Sequence, residues 1–73
     1  MGRLAGFSYR EVTRKLRKLG FEFYRTGKGD HEIWINSTTN IRTTIPHHGE
    51  VREGILRNIL KQARVEVEDF LKA

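Results

Sequence analysis

Seventy-three residues, none of them cysteine, carry 14 Lys and Arg against 9 Asp and Glu, for a formal net charge of +5 and an isoelectric point near 10.1. A chain this short forms one domain, residues 1–73, and buries only about 60% of its unfolded surface, which excludes a deep substrate cavity, while the lack of cysteine excludes disulfide staples and thiolate metal sites. The basic balance favours a polyanionic partner, nucleic acid or an acidic protein. With no stretch near the roughly 18 apolar residues of a membrane span and no long apolar segment in residues 1–6, the expectation is a soluble protein that stays in a reducing cytoplasm, with no membrane partner.

Ser8-Tyr9-Arg10-Glu11 has the spacing of a capping box, in which the hydroxyl at the first position and the carboxylate at the fourth each accept from the other's amide. A helix is predicted to start there. Phe7 and Val12 occupy the two positions of a hydrophobic staple, Tyr9, Val12, Leu16 and Leu19 share one side of a 3.6-residue period, and Gly20 ends the helix. Residues 21–26 and 31–36 read as two strands of a hairpin around Gly27-Lys28-Gly29. After a turn at 37–40, Ile41, Thr43 and Ile45 alternate with Arg42 and Thr44 as far as Pro46, whose missing N–H suits a strand end.

A loop from His47 to about Glu53 precedes a second helix, whose stripe is Leu56, Ile59, Leu60 and Ala63. Residues 65–71 add a short final helix, with Glu66, Glu68 and Asp69 near its start. The expected fold is α+β: a helix, a three-stranded antiparallel sheet, a helix and a short C-terminal helix, the layout of double-stranded RNA-binding domains.

Three histidines carry most of the proton chemistry available near neutrality, because imidazole has an unperturbed pKa of about 6.5. His31 follows the glycine-broken bend and opens the second strand; His47 and His48 follow Pro46. A surface or hydrogen-bonded histidine is the plainer reading of each. With neither cysteine nor regularly spaced carboxylates, the three do not make a zinc site unless the chain folds His31 against the pair, so no metal and no cofactor is expected. Lys28 between two glycines fits an anion contact, since glycine lets backbone amides approach closely, but it equally fits an ordinary hairpin loop. Arg10, Arg14 and Arg17 on the first helix, and Arg57, Lys61 and Arg64 on the second, form rows that suit either a phosphate backbone or plain solvation. Trp34 is a candidate base-stacking ring, with core packing as its alternative. Strand alternation puts Glu32 and Trp34 on one face and His31, Ile33 and Ile35 on the other, without saying which face meets the helices.

An ordered set of motifs resembles the HicA (YcfA-like) family of small toxin ribonucleases. Leu19-Gly20-Phe21 resembles that family's helix-ending glycine and aromatic, Arg25 its strand arginine, Gly29-Asp30-His31 its Gly-Ser-His, and Ile45-Pro46-His47 its Val-Pro-His. The run Gly54-Ile55-Leu56-Arg57-Asn58-Ile59-Leu60-Lys61-Gln62-Ala63 resembles its Gly-Thr-Leu-Arg-Ser-Ile-Leu-Lys-Gln-Ala helix. The resemblance implies a toxin of a type II toxin-antitoxin pair that cleaves mRNA without a metal and is silenced by a HicB-like antitoxin. It also gives His31 the catalytic role.

On that footing His31 is the expected general base, with Arg25, Lys28, Gly29 and the neighbouring loop amides on the phosphate, and His47 or His48 available to the RNA as binding groups or as the acid. Departures from the family pattern are Asp30 for its serine, Glu32 where a second histidine is common, and Arg64 and Glu66 ahead of the last helix. Asp30 and Glu32 are expected to set two negative charges beside the catalyst, repelling an incoming phosphate. Two other readings fit the same residues: a non-catalytic RNA-binding module, and a small subunit that docks on an acidic protein.

Overall fold

Ser8 starts the first helix in the way its spacing requires. In the computed structural model, which describes residues 3–73, α1 spans Tyr9–Lys18; Ser8 Oγ accepts from the Glu11 amide at 3.2 Å and the Glu11 carboxylate accepts from the Ser8 amide at 2.9 Å. Those bonds, the backbone one first, hold the Glu11 carboxyl below the usual carboxylate range. Met1 and Gly2 lie outside the described residues, and with them part of the reading made of residues 1–6. Val12 and Leu16 are buried and Tyr9 and Leu19 half-buried, as the helical period predicts. Gly20 leaves the helix at φ +99, where a side chain would be strained and its Cβ would come within 3.1 Å of Asn36 Nδ2.

A two-residue strand before the helix, β1 (Phe7–Ser8), pairs with β5 (Glu50–Val51), a ribbon that no periodicity announced. It brings the loop after Pro46 back against the start of α1, where the Tyr9 amide donates to the Gly49 carbonyl at 2.9 Å. Phe7, expected to staple against Val12, lies edge-on to Phe70 with ring centroids 5.3 Å apart.

The main sheet is antiparallel in the order β2 (Phe21–Thr26), β3 (His31–Asn36), β4 (Ile41–Pro46), with the predicted boundaries. Trp34 on the central strand is 1% exposed and belongs to the core with Leu16, Ile45, Leu56 and Phe70. The face carrying Glu32 and Trp34 is therefore the one that meets the helices, and His31 stands on the opposite, open face. Burial assigns Trp34 to packing.

The second helix, α2 (Glu53–Ala63), lies along β4 and is tied to it by polar as well as apolar contacts. The Thr43 hydroxyl sits 2.9 Å from Gln62 Oε1 and 3.1 Å from the Ile59 carbonyl, and Gln62 Oε1 also accepts from the Thr44 amide at 3.1 Å. Gln62 thus satisfies an amide of an edge strand. Arg64 closes α2 in the left-handed conformation, φ 58, that a glycine would take more readily, and α3 (Val67–Lys72) follows, burying Phe70.

Candidate active site

The hairpin between β2 and β3 sets the first half of the site. His31 donates its amide to the Lys28 carbonyl at 3.0 Å and accepts from the Gly27 amide at 2.7 Å, while Gly29 takes φ +55. The Gly27 amide, expected to face an anion, is thus committed to closing the turn, and Lys28 is left exposed at its tip. The His31 side chain is exposed on the open face, opposite Pro46 in register.

Arg25 reaches that same face through an irregularity. Phe21 and Phe23 pair with Asn36 and Trp34, so strict alternation would next set Arg25 opposite Glu32, on the helix side. A β-bulge at Tyr24 shifts the register, and Arg25 instead pairs with Ile33, on the face of His31. Tyr24 turns the same way and meets the Arg42 guanidinium at 5.0 Å.

The second half of the site lies across the same end of the sheet, on the helix side. His47 donates its amide to the Asp30 carbonyl at 2.7 Å, which fastens the loop after β4 to the residue before His31. Its ring stacks on Tyr9 with centroids 4.4 Å apart at 33°, and Nδ1 lies 3.2 Å from Glu32 Oε2. Glu32 is buried, 8% exposed, and its Oε1 accepts from the Tyr9 hydroxyl at 2.5 Å and from Trp34 Nε1 at 3.0 Å. Burial first, then the hydrogen bond to Glu32 and its charge, push the Tyr9 phenol up to about 12.

Glu32 was expected to set a negative charge beside His31. Its carboxylate instead points through the opposite face, where Tyr9 and Trp34 donate to it and His47 Nδ1 lies 3.2 Å away, so of the two only Asp30 remains as the exposed carboxylate next to His31. The sequence did contain a signal: Glu32 shares a strand face with Trp34, and a carboxylate on a core face needs donors.

His48 is exposed and lines, with Ser8, Tyr9, Arg10, His47 and Gly49, a groove of about 360 Å³. A wider depression of about 550 Å³ continues along α1 past Arg10, Arg14 and Arg17. These three form the predicted row, and Arg17 also packs over the Trp34 ring at 5.0 Å. On α2, Arg57 pairs with Glu53 at 3.2 Å while Lys61 and Arg64 are exposed. His31 and Arg25 therefore share the open face with Lys28 exposed at the turn beside them, while His47 and His48 line the groove on the other side, and the Asp30–His47 backbone bond joins the two.

A small basic α+β domain with imidazoles on both sides of one sheet end and cationic rows leading away has the surface of a protein that handles a polyanion. Residues 9–65 match the family model described as the HicA toxin of bacterial toxin-antitoxin systems, and the chain belongs to that family. It is thus a toxin with an antitoxin partner, and the matched segment contains every candidate residue on both sides of the rim. No curated protein matches the chain in sequence. Among the described residues, no helix is long and apolar enough to cross a membrane.

Proposed function

We propose that this chain is the toxin of a type II pair, a metal-independent endoribonuclease that cleaves mRNA in the cytoplasm and is silenced by a HicB-like antitoxin. Cleavage of RNA without a metal needs a base for the ribose 2'-hydroxyl, positive charge near the phosphorane and an acid for the departing 5'-oxygen. Neutral His31 is the base. Lys28, Arg25 and the Gly29 amide hold the phosphate, since the Gly27 amide is already bonded to the His31 carbonyl.

The observation that carries this reading is the exposure of His31 on the face to which the bulge turns Arg25. A buried ring with no cation near it would have had no access to RNA. One positioned acid or base supplies about 10² to 10⁴ in rate, enough for a toxin that need turn over only slowly.

The test incubates purified protein with an RNA oligonucleotide and its 2'-deoxy counterpart, using wild type and His31→Ala. Cleavage that needs both the 2'-hydroxyl and His31 supports the proposal; full activity in the variant, or activity lost to a chelator, counts against it. Salt-dependent binding without any cleavage would identify an RNA-binding module instead.

A further inference from the structure

The reaction proposed above leaves one proton without a donor, the one that the 5'-oxygen must receive as it departs. We infer that His47, rather than His48, is the general acid, and that the buried Glu32 carboxylate is the positioning residue that aims it; this rests on the ribonuclease reading. Both histidines border the groove beside Tyr9, but the contacts that orient a ring are those of His47: Tyr9 beneath it at 4.4 Å and Glu32 Oε2 3.2 Å from Nδ1.

The tautomer follows from the partners. An ionised carboxylate only accepts, and Glu32 Oε1 already takes the Tyr9 and Trp34 hydrogens, so the negative charge of Oε2, 3.2 Å from Nδ1 of His47, favours a hydrogen on that nitrogen. Nε2 is then the atom free to exchange a proton with a substrate. The pair is also graded in depth, with the Glu32 side chain 11% exposed and that of His47 59% exposed, so the anion is sheltered while the ring it steadies meets solvent. Arg10 in the same groove supplies a cation for the adjoining phosphate. Because Pro46 stands opposite His31 and the His47 amide is bonded to Asp30, the two imidazoles flank a single rim that an RNA backbone can straddle.

The step balances as follows. The 2'-hydroxyl proton passes to His31, the oxygen–phosphorus bond forms, and the phosphorus–O5' bond breaks with its electron pair on O5', which takes the Nε2 proton of His47 imidazolium. The products are a 2',3'-cyclic phosphate and a 5'-hydroxyl end. Solvent then returns a proton to His47 and removes one from His31.

An RNA oligonucleotide with sulfur in place of the bridging 5'-oxygen at one linkage tests the assignment, because a thiolate leaves without protonation. His47→Ala should cleave the ordinary ester at least about 10²-fold more slowly than wild type but the thio linkage within about tenfold of it, whereas His31→Ala fails on both. In ¹⁵N-labelled protein the ring nitrogens of His47 should report the Nδ1–H tautomer, and Glu32→Gln, whose amide can donate to Nδ1, should shift it towards Nε2–H and slow only the ordinary ester. Equal losses on both substrates in His47→Ala, unimpaired cleavage of the ordinary ester, or a wild-type His47 in the Nε2–H form would each overturn the inference. Wild-type protein that cuts neither RNA would remove the ribonuclease reading itself, and this assignment with it.

Discussion

The two sides of the sheet end carry the same functional group in opposite physical situations. On the helix side, His47 is stacked on a tyrosine and set 3.2 Å from a buried carboxylate that is itself held by Tyr9 and Trp34. On the open side, His31 stands exposed and fixed through its backbone by the turn, with Lys28 and Asp30 exposed in that turn and Arg25 on the same sheet face. Packing therefore sets the orientation of one ring, while access sets the availability of the other. On the reading proposed above, the residue to be aimed is built into the core's margin, and the one proposed to meet RNA stands clear of it.

Substitutions on the two sides should fail in different ways, and the largest effect belongs to the open side. His31→Ala is expected to lower RNA cleavage by about 10² to 10⁴ while leaving the fold and antitoxin binding intact, measured by cleavage assay beside circular dichroism and co-purification. On the helix side, beyond the proton step assigned above to His47, there is also a loss of stability. Glu32→Ala strands the Tyr9 hydroxyl and the Trp34 indole N–H, and a cost of about 2–4 kcal/mol is expected in denaturant unfolding. Asp30→Ala, the matching change on the exposed side, should stay within about 0.5 kcal/mol of wild type, and equal costs for the two would erase the contrast.

Titration sharpens the same comparison. Tyr9 ionises near 12 in the folded protein against an ordinary 10.0, so the folded state holds that proton more tightly than the unfolded one. The resulting stability is complete below pH 10 and is lost as pH rises through about 12, in an absorbance titration followed alongside unfolding. Glu32→Gln should move the Tyr9 transition down, because it removes the charge and weakens the acceptor. The smallest effect belongs to Asp30→Ser, which takes an exposed negative charge away from beside His31, where the proposed reaction places the phosphate; cleavage should rise about two- to fivefold, equivalent to about 0.4–1 kcal/mol, and more at low salt. A fall would show that Asp30 assists the reaction.

Local chemistry made much of the architecture readable. The capping box, the glycine after Leu19, the alternation in 31–36 and 41–46 and the stripe on α2 all depend on residues within a few positions of one another. The bulge at Tyr24 was not readable, because Phe21, Phe23 and Arg25 alternate smoothly on paper and only pairing with β3 reveals the shift. Nor was the β1–β5 ribbon, whose strands are too short to carry a period.

Glu32 shows the boundary most directly. From sequence it was a charge next to His31; in the fold it belongs with Tyr9, 23 residues earlier, and with His47, across the sheet end. Sequence alone determined the helices and the three strands of the main sheet, the basic surface, the family motifs and the short list of histidines, since these rest on residue type and near-neighbour spacing. Tertiary structure alone decided which sheet face is open, that Arg25 joins His31 there, and that Glu32 meets His47, because a contact or a shared face between distant residues exists only after the strands have chosen their register and the helices have covered one side.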